Sequence, residues 1–246
     1  MKKEFKIFVI LLISTCSFGQ KSFQSDDFKT SEGILRINFI GHGTLLFEWN
    51  NKFIHIDPYS KEADYDKMPK ADLILITHDH QDHLDETAIS KILKDDTWII
   101  MPVKCIEKLT NKYNTLILNN GEIKTILGLN IEAVPAYNII NKRKDGNPFH
   151  PKGEGNGYVL TMGNKRIYIA GDTENIPEMK DLKDIDIAFL PMNLPYTMTP
   201  EMVAEAAKSF NPKILYPYHF GSTDPELLKE LLKNENGIEI RIRDMQ

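Results

Sequence analysis

The order of local signals along the chain predicts an α+β domain in which two β-sheets pack together and helices cover their outer sides. Three observations carry that expectation. Short β-type runs recur in both halves of the 246-residue chain, each half also holds helical segments, and nothing inside residues 34–242 reads as an interdomain linker. No close internal repeat is visible. Hydrophobic residues make up 41% and charged residues 26%, without a long low-complexity tract, so an ordinary globular core is expected.

The start of the chain stands apart. Lys2, Lys3 and Lys6 precede the apolar residues 7–13 and the small residues 14–19, which is the order of a secretory signal peptide. Ser17 and Gly19 suit cleavage before Gln20, while Cys16 in Ile13-Ser14-Thr15-Cys16 offers a lipoprotein anchor as the alternative. The apolar run falls short of the roughly 20 residues of a spanning helix, and no later segment is long enough, so no transmembrane anchor is expected. The chain therefore divides into a signal peptide (1–19), a leader of the mature chain (20–33) and one domain (34–242), exported to the periplasm or the cell exterior. Cleavage removes three lysines and one glutamate and takes the net charge from −5 to −7. A net-acidic surface has no long-range attraction for nucleic acid, and a small-molecule substrate is the expected partner. Cys105 then has no cysteine to pair with and is expected as a buried apolar side chain.

Within the domain, residues 35–40, 44–49 and 52–57 read as strands, with Gly41 and Gly43 breaking the first pair and Asn50-Asn51 turning the second. Residues 72–77 form a dense apolar run, as in a strand buried on both faces, and end at a cluster of histidines. Asp85 is placed to cap a helix running to about Lys94. A strand at 98–101, a short helix at 103–109 and strands at 115–118, 122–126 and 129–134 lead into a long loop, 136–156. Loops of that length inside a domain are usually functional. Strands at 157–162, 166–170 and 185–190 come next, then a helix at 200–209 that Thr199, Pro200 and Glu201 start well. A strand at 213–216, a helix at 225–232 and a strand at 238–242 finish the chain.

Three of the seven histidines crowd into the six positions His78-Asp79-His80-Gln81-Asp82-His83. Imidazole and carboxylate suit zinc, and a loop leaving a strand end can aim several of them at one point. In an extended segment His78 and His80 project to the same side and can clamp one ion. Asp82 and His83 follow the turn and can serve a second.

His-x-His-x-Asp-His after an apolar strand resembles the signature of the metallo-β-lactamase superfamily, whose fold is a four-layer αββα sandwich. The likeness runs through nearly the whole mature chain. Asp57 before Pro58 resembles the early aspartate that fixes the histidine loop. Asp172 in Gly171-Asp172-Thr173 resembles the carboxylate bridging both metals, and His219 resembles the last histidine, a ligand of the second. The chain departs from the family after residues 131–137, where Asn138 stands in place of a histidine that would complete the first site. His150, in the same loop, is the other candidate for that ligand or for a substrate contact. Phe39-Ile40-Gly41-His42-Gly43, Ile56-Asp57-Pro58-Tyr59 and Tyr196-Thr197-Met198-Thr199-Pro200-Glu201 resemble the ascorbate-lactonase-like and N-acyl-phosphatidylethanolamine phospholipase D-like groups. In such proteins His42 lies near the site. His55 is expected to be packed and hydrogen-bonded.

The resemblance implies a hydrolase with two divalent ions, zinc first and iron or manganese as alternatives. A metal-bound hydroxide oriented by Asp82, as the catalytic residue, would attack a small ester, lactone or phosphodiester. No Gly-x-Ser-x-Gly or Walker-type loop suggests another chemistry. Lys142, Arg143, Lys144 and Lys152 lend the long loop a basic character that could receive a phosphate or carboxylate. The competing class is a non-catalytic metal- or ligand-binding protein on the same scaffold, holding one ion because of Asn138.

Overall fold

Strand formation starts earlier than residue 34. In the computed structural model, which describes residues 23–246, strand β1 (Gln24–Thr30) pairs antiparallel with β2 (Gly33–Gly41) along its whole length. The run Gln-Ser-Asp-Asp-Phe-Lys-Thr is polar because β1 is an edge strand whose one apolar side chain packed inward is Phe28, with Thr30 buried at its end. Asp26 anchors it: the carboxylate accepts hydrogen bonds from Tyr216 and, at 2.7 Å, from Arg243. The leader segment thus supplies the first strand of the domain. The expected signal peptide, its cleavage point and Cys16 lie outside the described residues.

β3 (Thr44–Trp49), β4 (Lys52–Ile56), β5 (Leu73–Leu75), β6 (Trp98–Met101) and β7 (Thr115–Ile117) complete the first sheet in sequence order. The second sheet holds β8 (Ile123–Ile126), β9 (Leu129–Ala136), β10 (Gly155–Met162), β11 (Lys165–Ile169), β12 (Ile187–Pro191), β13 (Ile214–Tyr218) and β14 (Glu239–Ile240), again in order. Both sheets follow one plan: the first four strands run antiparallel and the fourth to seventh run parallel. The two halves therefore repeat a topology that their sequences do not display. Asn50 and Asn51 make the β3–β4 turn with φ of 49° and 57°, the twist a two-residue hairpin needs.

Alternation along β5 and β6 sorts side chains into two cores. Leu73, Leu75 and Ile100 point between the sheets, whereas Ile74, Ile76, Ile99 and Met101 point outward to Ala88, Ile89 and Ile92 of helix α1 (Glu86–Ile92). This is the strand buried on both faces that the apolar run foretells, and each such branched side chain contributes roughly 1.5–3 kcal/mol. Asp85 caps α1 by accepting the Thr87 N–H at 2.8 Å. The helix stops short of Lys94 because Leu93 turns extended and Lys94 gives its N–H to Thr97 Oγ1. Cys105, in α2 (Val103–Ile106), is buried in the same outer core, and burial pushes its thiol pKa up.

The second sheet is covered by α3 (Pro200–Phe210), with α4 (Leu227–Leu231) packed on α3. Thr199 caps α3 by accepting the Met202 N–H, and Val203, Ala206, Ala207 and Phe210 form its buried face. A 3₁₀ turn, Pro177–Asp181, was not foreseen. The layers are thus helix, sheet, sheet, helix. Among the described residues no helix is long and apolar enough to cross a membrane.

Candidate metal centre

All the candidate residues follow the carboxyl ends of strands: His42 after β2, Asp57 after β4, residues 78–83 after β5, Asn138 and His150 after β9, Asp172 after β11 and His219 after β13. His42, Asp57 and His219 hold left-handed φ values of 53°, 45° and 46°. Such angles strain non-glycine residues and mark positions that the surroundings dictate. Glycine is required beside them. Gly171 has φ of +65°, and a Cβ there would lie 2.8 Å from the Asn156 carbonyl and 3.0 Å from Thr77 Cβ.

Asp57 organises the histidine loop. It is fully buried, and its carboxylate accepts the Thr77 N–H at 2.8 Å, the Thr77 hydroxyl at 2.6 Å and His83 Nδ1–H at 2.8 Å. Because the Thr77 hydroxyl donates to Asp57, its oxygen receives Nδ1–H of His78 at 3.0 Å. Both histidines are thereby held with Nε2 as the free basic nitrogen.

Asn138 and His150 share one arrangement. Asn138 Oδ1 accepts both the backbone N–H and ring Nδ1–H of His150, at 2.8 and 2.7 Å, while its Nδ2 donates to Glu174 Oε1 and the Tyr196 carbonyl. Those acceptors fix the amide's orientation and commit its oxygen. It is His150 that faces the centre, its Nε2 lying 3.3 Å from Asp172 Oδ2. Position 138, where the resemblance leads one to expect a histidine, instead holds an amide that steers His150, twelve residues later, toward Asp172.

The result is two sets of ligand atoms around Asp172. His78, His80 and His150 form one; His42, Asp82, His83 and His219 form the other; and His78, His83 and Asp172 connect them, the atoms of each group lying within 4.8 Å of one another. Asp172 reaches His83 Nε2 at 3.6 Å, His219 Nε2 at 3.6 Å and His78 Nε2 at 4.0 Å. His80 presents Nδ1, 3.2 Å from His78 Nε2. His42 Nε2 lies 3.0 Å from Asp82 Oδ2, and its ring packs tilted by 40° against that of His219 with centroids 3.7 Å apart. His55 points elsewhere, to the Pro69 carbonyl, and is packed and hydrogen-bonded as expected.

Charge shapes the pocket strongly. Burial works against ionised Asp172 and Asp82, yet the surrounding histidines outweigh it and hold both carboxyls well below the usual range. Burial also disfavours a charged His83, but Asp172, Asp57 and Asp82 overcome it and push the ring up to about 10. Burial, reinforced by neighbouring histidines, drives His78 well down and His80 down to about 4. Of five buried polar side-chain atoms without a hydrogen-bond partner among the described residues, four converge here: Nε2 of His83, His150 and His219, and Asp172 Oδ1. Each such group costs about 1–3 kcal/mol if left unmet, and cations held between them would remove that cost. The nitrogen and carboxylate donor set fits borderline-soft divalent ions.

Sequence reasoning missed three supporting residues. Glu174, buried, accepts the N–H groups of Ile139, Ile140 and Asn141 at 2.6–2.7 Å and pins the start of the long loop. Asn193 sets its amide against His219 Nδ1 at 3.2 Å. Thr77 links Asp57 to His78. Only Glu174 had a local signal, its place two residues after Asp172.

A family profile described as a β-lactamase superfamily domain matches residues 36–219. Among curated proteins, the chain is 30% identical to a UPF0173 metal-dependent hydrolase of Nanoarchaeum equitans, over 83% of this chain and 94% of that one. A Thermococcus kodakarensis protein of the same description is 31% identical over 81% and 92%. Among solved structures, one described as a metal-dependent hydrolase from Parabacteroides distasonis is 52% identical, with a TM-score of 0.86 over 92% of this chain and all of that one. A metallo hydrolase from Ignicoccus hospitalis shares the fold, with a TM-score of 0.71 at 24% identity over 86% of this chain and 95% of that one. Sandwich topology, the order of the site residues and these likenesses agree, and the chain belongs to the metallo-β-lactamase superfamily as a metal-dependent hydrolase.

Proposed function

We propose an exported hydrolase that holds two divalent ions, zinc in the first place, and cleaves a small ester, lactone or phosphodiester. The observation that carries this reading is the pair of ligand sets flanking Asp172, which lies 3.3 Å from His150 Nε2 on one side and 3.6 Å from His219 Nε2 on the other, with unpartnered buried atoms aimed into the space between them. His78, His80 and His150 would hold one ion, Asp82, His83 and His219 the other, and Asp172 both. Ions bound there supply Lewis-acid polarisation of the scissile group and a water acidified toward pKa 7 as nucleophile. Asp82, partly open to solvent and held by His42, would orient that water while binding the second ion. Asp57, Thr77 and Asn138 keep the imidazoles in register, so little reorganisation is needed as the reaction proceeds. A pocket of about 580 Å³ opens beside His78, His80 and His150, large enough for a small-molecule substrate. The one-ion alternative rested on Asn138, and we infer that His150, whose Nε2 faces Asp172, would supply the nitrogen that Asn138 lacks. Export rests on the N-terminal pattern of lysines, apolar run and small residues.

Elemental analysis and turnover of bis-p-nitrophenyl phosphate and p-nitrophenyl acetate test the reading. Two ions per chain with turnover of either substrate support it; one ion and no turnover overturn it. Cell fractionation tests export: a cytoplasmic protein with residues 1–19 retained would refute it.

A further inference from the structure

The long loop carries a guanidinium that forms no ion pair among the described residues, the nearest influence being Asp145, two positions on, whose carboxyl pKa is lowered by hydrogen bonds from Asn147 and further by this charge. The described chain contains five arginines, and four of them pair with carboxylates: Arg36 with Asp27, Arg166 with Glu132, Arg241 with Glu239, and Arg243 with Asp26. Arg143 pairs with none among the described residues. It lines the same pocket as His78, His80 and His150.

Its position is built rather than loose. Arg143 opens a tight turn in which its N–H bonds the Asn147 carbonyl at 2.7 Å and its carbonyl receives the Gly146 N–H at 3.0 Å. The guanidinium lies over the Phe149 ring, 5.2 Å from its centroid, and Phe149 in turn meets the edge of Tyr196. One nitrogen, Nη2, reaches the Phe149 carbonyl at 3.2 Å and His80 Nε2 at 3.3 Å. Nearby carboxylates are engaged elsewhere. Asp79 pairs with Lys108, and Asp145, which lines the same pocket and feels the charge of Arg143, spends its hydrogen bonds on the backbone and side-chain N–H groups of Asn147. Glu154 lines the pocket without contacting Arg143. A planar fork with one face stacked and its edge toward a cavity is suited to a bidentate oxyanion. If His80 ligates an ion through Nδ1, its ring proton sits on Nε2 and Arg143 loses that acceptor, so metal loading frees the fork for substrate.

We propose that Arg143 is the specificity residue of this site and binds an anionic oxygen group, carboxylate or phosphoryl, carried by the substrate apart from its scissile bond. This rests on the hydrolase site proposed above. Calorimetric titration of the metal-loaded full chain with acetate, with malonate, succinate and glutarate, and with phosphonoacetate and 3-phosphonopropionate tests it. The best two-headed ligand should bind about 30-fold more tightly than acetate, because a charge-assisted hydrogen-bonded pair is gained. Its head group tells carboxylate from phosphoryl. Arg143→Gln should abolish the preference while acetate affinity and metal content hold, and Arg143→Lys should keep a smaller preference. Absence of any preference in the unaltered protein, equal weakening of all ligands in Arg143→Gln, or loss of metal from that variant would each overturn the inference. Failure of the hydrolase reading would show separately, in metal count and turnover.

Discussion

Replacing Asn138 by alanine removes the oxygen on which two hydrogen bonds from His150 converge. In the intact protein Oδ1 accepts both at 2.7–2.8 Å, and Nδ2 satisfies Glu174 and the Tyr196 carbonyl. The variant strands two buried donors of His150, and unmet buried groups cost about 1–3 kcal/mol each, so a loss of roughly 2–6 kcal/mol of stability follows. The effect on the metal is separate: with its tautomer and direction no longer held, His150 should lose about 10- to 100-fold in ion affinity, the usual weight of a hydrogen bond behind a ligand. Urea unfolding of the metal-free protein measures the first quantity, and competition with a chromophoric chelator measures the second. His150→Ala should weaken the same ion at least as much. If Asn138→Ala is destabilised yet binds both ions as tightly as the unaltered protein, His150 is no ligand and Asn138 only ties the loop together.

Replacing His78 and His80 together should lower metal content by one ion per chain while far-UV circular dichroism stays unchanged; two retained ions would refute the division of ligands. Gly171→Ala should destabilise by roughly 1–3 kcal/mol and weaken metal binding through Asp172, since both its φ and the 2.8 Å approach to Asn156 forbid a Cβ; an unchanged unfolding midpoint would contradict this. Burial lowers the His55 pKa to about 4, so the unfolded chain takes up that proton first. The stability this linkage protects is present above pH 6.5 and lost as pH falls toward 4, by about 1.4 kcal/mol per unit in that window. Urea unfolding in chelator from pH 7.5 to 4.5 should be less steep for His55→Gln, and equal slopes would reject the assignment.

Chain order alone carried most of the architecture. The dense run of β5, the Asn50-Asn51 turn and the Asp85 and Thr199 caps are short-range features, whose hydrogen bonds close within a few residues. So is the histidine cluster, because its ligands are neighbours in sequence. β1 escaped notice because an edge strand buries too little apolar surface to leave a pattern; what holds it is Asp26, paired with residues some two hundred positions away. For the same reason the likeness of the two sheets was invisible, since topology repeats in the pairing of strands and not in side-chain identity.

The residues 78–83 and their metal-binding chemistry, with Asp172 and His219 marked by family likeness, were thus determined by the sequence itself. Only the tertiary structure shows which of Asn138 and His150 faces Asp172. The pair lies twelve residues apart, and nothing local says which will face Asp172. That choice is made by Glu174 and Tyr196, which come from other loops, take the amide's donors and so turn its oxygen to the histidine. The same long-range packing left Arg143 without a direct ion pair among the described residues, because which charges meet depends on how loops fold over one another rather than on their order along the chain.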